Sequence, residues 1–242
     1  MAKQRTAKDY LNAPIEIYKG FLVDSKAVLF NVAAYACYEL MTAQGFEFKE
    51  AIRYFDLPAN MLNDAENKGQ QLFTALPRKT AFVGISKAVW LDYLQNDKTE
   101  LQRACLLAYV AIRSVIGKKK YCKLTNDLML SRMDGSNKTL TSFSPEIERY
   151  NNHYQCNKIR TELELSWGLV TCRGKGVFCS YKLTVKALTL EVERNKKAYL
   201  IKQLQQDKKE AKEAAKQIIW QQDKELRYNQ HQPLEPCCNI PF

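Results

Sequence analysis

Chain breakers are scarce: glycine supplies 9 and proline 7 of 242 residues, against usual shares of about 7% and 5%. That scarcity excludes a sandwich or barrel built from many turns and favours helices. Long apolar runs are missing as well. The two best, over 27–38 and 104–112, are well short of the ~18–20 residues of a membrane span, so they read as buried helices and no membrane is expected. Residues 1–8 carry charge with no apolar stretch behind them, unlike a secretory signal. A cytoplasmic setting is therefore expected, and the eight cysteines read as thiols, not as a disulfide framework.

Catalytic signatures are equally thin. Only His153 and His231 are present, with no His-x-His and no His-x-x-Arg, so neither a rolling-circle nicking site nor a tyrosine-recombinase site is indicated. Gly174-Lys175-Gly176 lacks the spacing of a P-loop, and no Gly-x-Gly-x-x-Gly or Cys-x-x-Cys occurs. The expectation is a protein that is not an enzyme, with no metal and no cofactor.

Hydrophobic content, in contrast, is 46%, enough for a core. The net charge of +11 is concentrated. Residues 1–100 are neutral, 101–186 hold 15 Lys/Arg against 6 Asp/Glu, and 187–242 hold 10 against 8. A basic stretch of this kind is the electrostatic footprint of a polyanion binder.

Local signals order the chain. Alternation predicts a short strand over 15–23. Asp24 caps a helix stopped by Gly45, a second helix over 47–55 ends at Asp56-Leu57-Pro58, and a third spans 59–76. The neutral charge there points to packing, not to a helix-turn-helix. A strand over 82–85 precedes a helix capped by Ser86. Thr99 with Gln102 forms a capping box opening a helix over 100–116.

After Gly117 comes the basic turn Lys118-Lys119-Lys120-Tyr121-Cys122-Lys123. Thr125 or Asn126 caps a short helix ended by Gly135. Ser144-Pro145 starts another that runs, with a break near Asn151-Asn152, to about Ser166. A helical wheel sets Cys156, Ile159, Leu163 and Trp167 on one face. It places His153, Tyr154, Asn157, Lys158, Arg160, Thr161 and Glu164 on the other, with Leu165 awkwardly among them. A strand over 169–173, the tight turn Gly174-Lys175-Gly176 and a return strand over 177–183 then form a basic hairpin, with 173 opposite 177 and 172 opposite 178.

In this order, residues 99–186 resemble a winged helix-turn-helix domain. Helix, basic turn, short helix and longer helix lead through Trp167-Gly168-Leu169-Val170 into a two-stranded wing, then Leu183-Thr184 at the next helix. The connection over 134–144 is longer than that family's usual turn. The resemblance implies sequence-specific binding of double-stranded DNA. Asn157, Lys158, Arg160 and Thr161 would read base edges. Lys118, Lys119, Lys120, Lys123, Thr125 and Asn126 would meet phosphates, and Arg173 and Lys175 a phosphate or the minor groove.

The fold class expected is mainly α with small β elements. A near-neutral helical region over 1–98 is followed by the winged helix over 99–186, an amphipathic helix over 187–228 and a flexible tail over 229–242. In the helix, Leu200, Leu204, Ala211, Ala215 and Ile218 form a stripe. It serves either packing on its own chain or homodimerisation. The biological role stays open among a transcriptional regulator, a replication initiator of a plasmid- or phage-type element, and a winged-helix protein-interaction module without DNA. Either DNA-binding role would place the protein in the cytoplasm, at the nucleoid.

Overall fold

A computed structural model describes residues 9–58, 64–76, 81–174 and 176–230. Among the described residues the chain is mainly helical, with two small antiparallel sheets and a long C-terminal helix. It divides into two units, one ending at Thr189 and the other beginning at Leu190.

Two apolar helices organise the first unit. α1 (Ser25–Gln44) buries Val32 through Cys37 without interruption, so its middle is enclosed on all sides. Asp24 accepts the Ala27 N–H at 2.9 Å and Gly45 closes the helix at φ 71°, both as the sequence predicts. α5 (Glu100–Ile116) buries Ala104 through Ala108 and Val110 through Ile112, behind the Thr99–Gln102 capping box. Around α1 pack α2 (Phe48–Phe55) and α3 (Ala65–Ala75). α3 crosses α1 at Gly69, where a Cβ would stand 2.5 Å from the Ala34 carbonyl oxygen. The expected start of that third helix near residue 59 lies outside the described residues. α4 (Lys87–Gln95), capped by Ser86, anchors to α1 through the buried Trp90 indole, which donates to the Leu29 carbonyl at 2.8 Å.

One strand differs from expectation. Residues 15–23 form no strand: Ile15–Tyr18 is a 3-10 turn followed by further turns. Ile15, Ile17, Tyr18, Phe21 and Leu22 are all buried, a spacing that a turn can bury and an alternating strand cannot. The strand, β1 (Tyr10–Pro14), lies just before and pairs with β2 (Phe82–Ser86), with Leu11 opposite Ile85 and Ala13 opposite Val83.

From α5 onward the order is β3 (Cys122–Leu124), α6 (Asn126–Met133), α7 (Pro145–Glu148), α8 (His153–Ser166), β4 (Val170–Gly174) and β5 (Gly176–Ser180). The second sheet runs β3-β5-β4. The hairpin has the expected register, Arg173 opposite Val177 and Cys172 opposite Phe178. β3, read from sequence as part of a basic turn, is a strand, with Cys122 opposite Cys179.

The long connection over 134–144 is built into the fold. The Asn137 side chain contacts Glu16 and Arg132, and its carbonyl oxygen accepts the Ala81 N–H. The Ser131 hydroxyl accepts the Leu140 N–H at 2.8 Å. The segment thereby ties α6 to the 3-10 turn. The hydrophobic core accordingly runs unbroken from Leu11 to Cys179, across residue 98.

α9 (Val185–Gln230) has 46 residues, most of them in the second unit, and is about 69 Å long at 1.5 Å per residue. Leu200, Leu204 and Ile218 of the predicted stripe are exposed, as are Ile201, Ile219 and Trp220. Residues 231–242, most of the predicted tail, lie outside the described residues.

Candidate nucleic-acid interface

Local chemistry sets the two helices of the site. The Thr125 hydroxyl caps α6 by accepting the Leu128 N–H at 3.1 Å. Asn152 caps α8 by accepting the Gln155 N–H at 2.8 Å. Each cap satisfies one of the amide donors that a helix start leaves over, and the rest give that end its positive potential. The turn before α8 is held to α5 by Glu100, which takes the Arg149 guanidinium at 2.9 Å and the Tyr150 hydroxyl at 2.9 Å.

α8 then divides into three sectors. Cys156, Ile159 and Leu163 are fully buried, and Trp167 beyond the helix end is half-buried, as the wheel predicts. Tyr154 and Leu165 are 72% and 78% exposed, and Lys158 is exposed too. The awkward Leu165 thus faces solvent. Between these sectors, His153, Asn157, Arg160, Thr161 and Glu164 border a cleft of about 460 Å³. Its other walls include Thr125 and Asn126 at the start of α6 and Thr171 and Arg173 on β4. Thr171 and Arg173 share a sheet face with Cys179 and Leu124 by strand alternation.

Six residues singled out from sequence therefore meet in one place: Thr125, Asn126, Asn157, Arg160, Thr161 and Arg173. The others stand apart from it. Lys118, Lys119 and Lys120 are exposed near the foot of the hairpin, where the Lys120 carbonyl accepts the Ser180 hydroxyl at 2.8 Å. Lys123 is exposed on the sheet face carrying Phe178, its side chain lying against Gly176. Lys158 points to solvent from α8. Lys175 lies outside the described residues.

Arg160 needs a correction. It is only 7% exposed, so it is not a free base reader on an outer face. Its Nη2 contacts Asn126 Oδ1, Nη1 reaches Asn157 Oδ1 at 3.4 Å, and Nε is buried without a partner. The physical reason is angular: at about 100° per residue it lies about 40° from Cys156, beside the buried sector. Arg160 clamps α8 to the start of α6.

His153, Glu164 and Thr171 complete the cleft and were not proposed as site residues. The His153 ring Nδ1 is 2.8 Å from the Asn157 amide nitrogen, and the Glu164 carboxylate accepts the Thr171 hydroxyl. Their sequence signal is spacing: 153 and 157 are one helical turn apart, and 164 faces 171 across the Trp167-Gly168 turn.

The thiols of the first unit are free. Burial pushes Cys37, Cys105 and Cys179 up to about 12 and Cys122 up to about 11, so they stay protonated packing groups. Among the described residues no cluster of three His, Cys, Asp or Glu side chains forms a metal-ligand set. No family model, no curated protein and no solved structure matches the chain.

Proposed function

We propose that residues 99–186 act as a winged helix-turn-helix that binds double-stranded DNA sequence-specifically, in a transcriptional regulator. The observation that carries the reading is the convergence of three separate segments, 125–126, 157–161 and 171–173, on one cleft, in the stretch that also holds the exposed lysines 118–120 and 123. Asn157, Thr161 and the exposed Lys158 supply base-reading groups. The start of α6 and Arg173 supply phosphate contacts. Lys118, Lys119, Lys120 and Lys123 supply salt-sensitive affinity, and Arg160 positions α6 against α8. The exposed apolar residues of α9 are proposed to pair with a second copy, giving a homodimer that presents two reading helices. The reading implies a cytoplasmic, nucleoid-associated protein.

Selection of bound sequences from random duplex DNA, at two salt concentrations, tests this. The expected result is an enriched motif whose affinity falls steeply with salt. Absence of duplex binding at low salt overturns the reading in favour of a protein-interaction module. Genomic sites clustered as repeats at an origin would replace regulation with replication initiation.

A further inference from the structure

A second cleft, of about 510 Å³, opens between the β1–β2 ribbon and the C-terminal end of α8. It is distant from the first: His153 and Ser166 at the two ends of α8 are about 20 Å apart along the axis. Its lining brings together Tyr109 and Arg113 of α5, Trp167 after α8, Tyr181 after β5, and Tyr10 and Ser86 of the ribbon. The Tyr109 ring centre is 4.9 Å from that of Trp167, with 38° between the planes, and 5.1 Å from that of Tyr181, edge-on. The Arg113 guanidinium sits 6.0 Å from the centres of both tyrosine rings.

Packing explains part of this cluster but not Arg113. It is half-buried, and its guanidinium lies beside two tyrosine rings with no ion pair or side-chain hydrogen bond to it among the described residues. A guanidinium carries five N–H donors in a rigid plane suited to a carboxylate or phosphate. Withdrawing it partly from water without an anion is unfavourable, and an incoming acidic group would relieve that. The aromatic faces beside it favour a flat ring, and the volume falls within the ~300–1,000 Å³ of small-molecule sites. Asp9 also lines the cleft, and its carboxylate opposes any incoming anion, so binding there draws on the ring contacts as well as on Arg113.

We propose that this cleft binds a planar aromatic or heteroaromatic molecule bearing one acidic group, with the ring against Trp167 and Tyr109 and the acid on Arg113. A nucleoside monophosphate and an aromatic carboxylate share this chemistry. The site is independent of DNA binding and is tested on the full-length protein alone.

Calorimetric titration with adenosine 5′-monophosphate and with 1-naphthoate, each beside its neutral counterpart (adenosine, 1-naphthylmethanol), tests it. At least one acid is expected to bind with a stoichiometry of one, about tenfold or more tighter than its neutral counterpart. Which acid binds identifies the source. Arg113→Gln is expected to abolish the preference, Arg113→Lys to retain part of it, and Trp167→Ala to weaken acid and neutral ligand alike. No binding of either acid, or equal binding of acid and neutral forms by the wild type, overturns the proposal. So does an Arg113→Gln protein that melts like the wild type and keeps the preference. Should Arg113→Gln fail to fold, the wild-type comparison and Arg113→Lys decide.

Discussion

Replacing Arg160 with alanine separates two roles that the sequence alone would merge. As a base reader, Arg160 would cost affinity on one preferred site and leave stability unchanged. The structure instead buries it against Asn126 and Asn157. A hydrogen bond to a charged group contributes ~1.5–3 kcal/mol, and the 3.4 Å contact to Asn157 adds little. Removing the unpartnered Nε offsets about 1 kcal/mol of that, because a buried donor without an acceptor is unfavourable. Loss of the packed aliphatic stem works the other way. The net expectation is a destabilisation of about 1–3 kcal/mol. At roughly 2–4 °C per kcal/mol for a chain of this size, Tm should fall by about 2–12 °C.

The assay is thermal unfolding of wild type, Arg160→Ala, Asn126→Ala and the double variant. The two residues should couple by ~0.5–3 kcal/mol. The preference of Arg160→Ala for the preferred over random duplexes should weaken across all base positions at an unchanged salt dependence, because a loosened α8 no longer holds Asn157, Lys158 and Thr161 in place. An unchanged Tm together with relaxed preference at one base position refutes the clamp and restores the reading role.

Other outcomes follow from the same structure. Changing Lys118, Lys119, Lys120 and Lys123 together to alanine should flatten log affinity against log salt by up to ~3–4 units, at ~0.9 per phosphate; an unaltered slope in a salt titration would remove these lysines from the interface. Stability should fall as pH rises above 9.0, the ordinary thiol value, because the unfolded chain then ionises Cys37, Cys105, Cys122 and Cys179 while the fold holds them protonated to about 11–12. Denaturant titrations from pH 8 to 11 check this, and a flat profile would contradict it. Gly69→Ala should destabilise by ~1–3 kcal/mol despite alanine's better helix propensity, since the new Cβ would meet Ala34 and Tyr38; denaturant unfolding with a higher midpoint would refute the close crossing. Truncation after Arg194 should turn a dimer into a monomer in sedimentation, and a monomeric full-length chain would remove pairing through α9.

Which parts of the fold were legible follows from how local their causes are. Asp24, Ser86, Thr99 with Gln102, and Ser144-Pro145 mark helix starts through bonds or ring constraints reaching a few residues, so sequence suffices to place them. The hairpin register was equally readable, because two glycines one residue apart leave little choice of pairing. β1 was misplaced because its partner is about 70 residues away, and because the burial of Ile15 and Ile17 imitates alternation. β3 was missed because three residues inside a run of lysines give too short an alternation, although Cys122 and Leu124 are buried around exposed Lys123. Gly69 looks like a flaw in a helix until α1 is set against it. Arg160 was set on the polar face although its angle lies about 40° from Cys156, and its depth was not legible because its partner Asn126 comes from another helix.

The same geometry bears on how affinity and specificity divide under the proposed reading. Lys118, Lys119, Lys120 and Lys123 sit on the loop and strand before α6, and none of them borders the cleft. Asn157, Thr161 and Lys158 project from α8, with Asn157 further held by His153 at 2.8 Å. Phosphate charge falls off over a Debye length of about 8–10 Å at ordinary salt, so exposed lysines act over a distance and tolerate small shifts of position. Base-edge hydrogen bonds require donor and acceptor within about 3 Å, so they depend on where α8 is held. Holding α8 is the work of Glu100 with Arg149 and Tyr150, and of Arg160 with Asn126. Substituting the clamps should therefore degrade discrimination at constant salt dependence, while substituting the lysines should do the reverse.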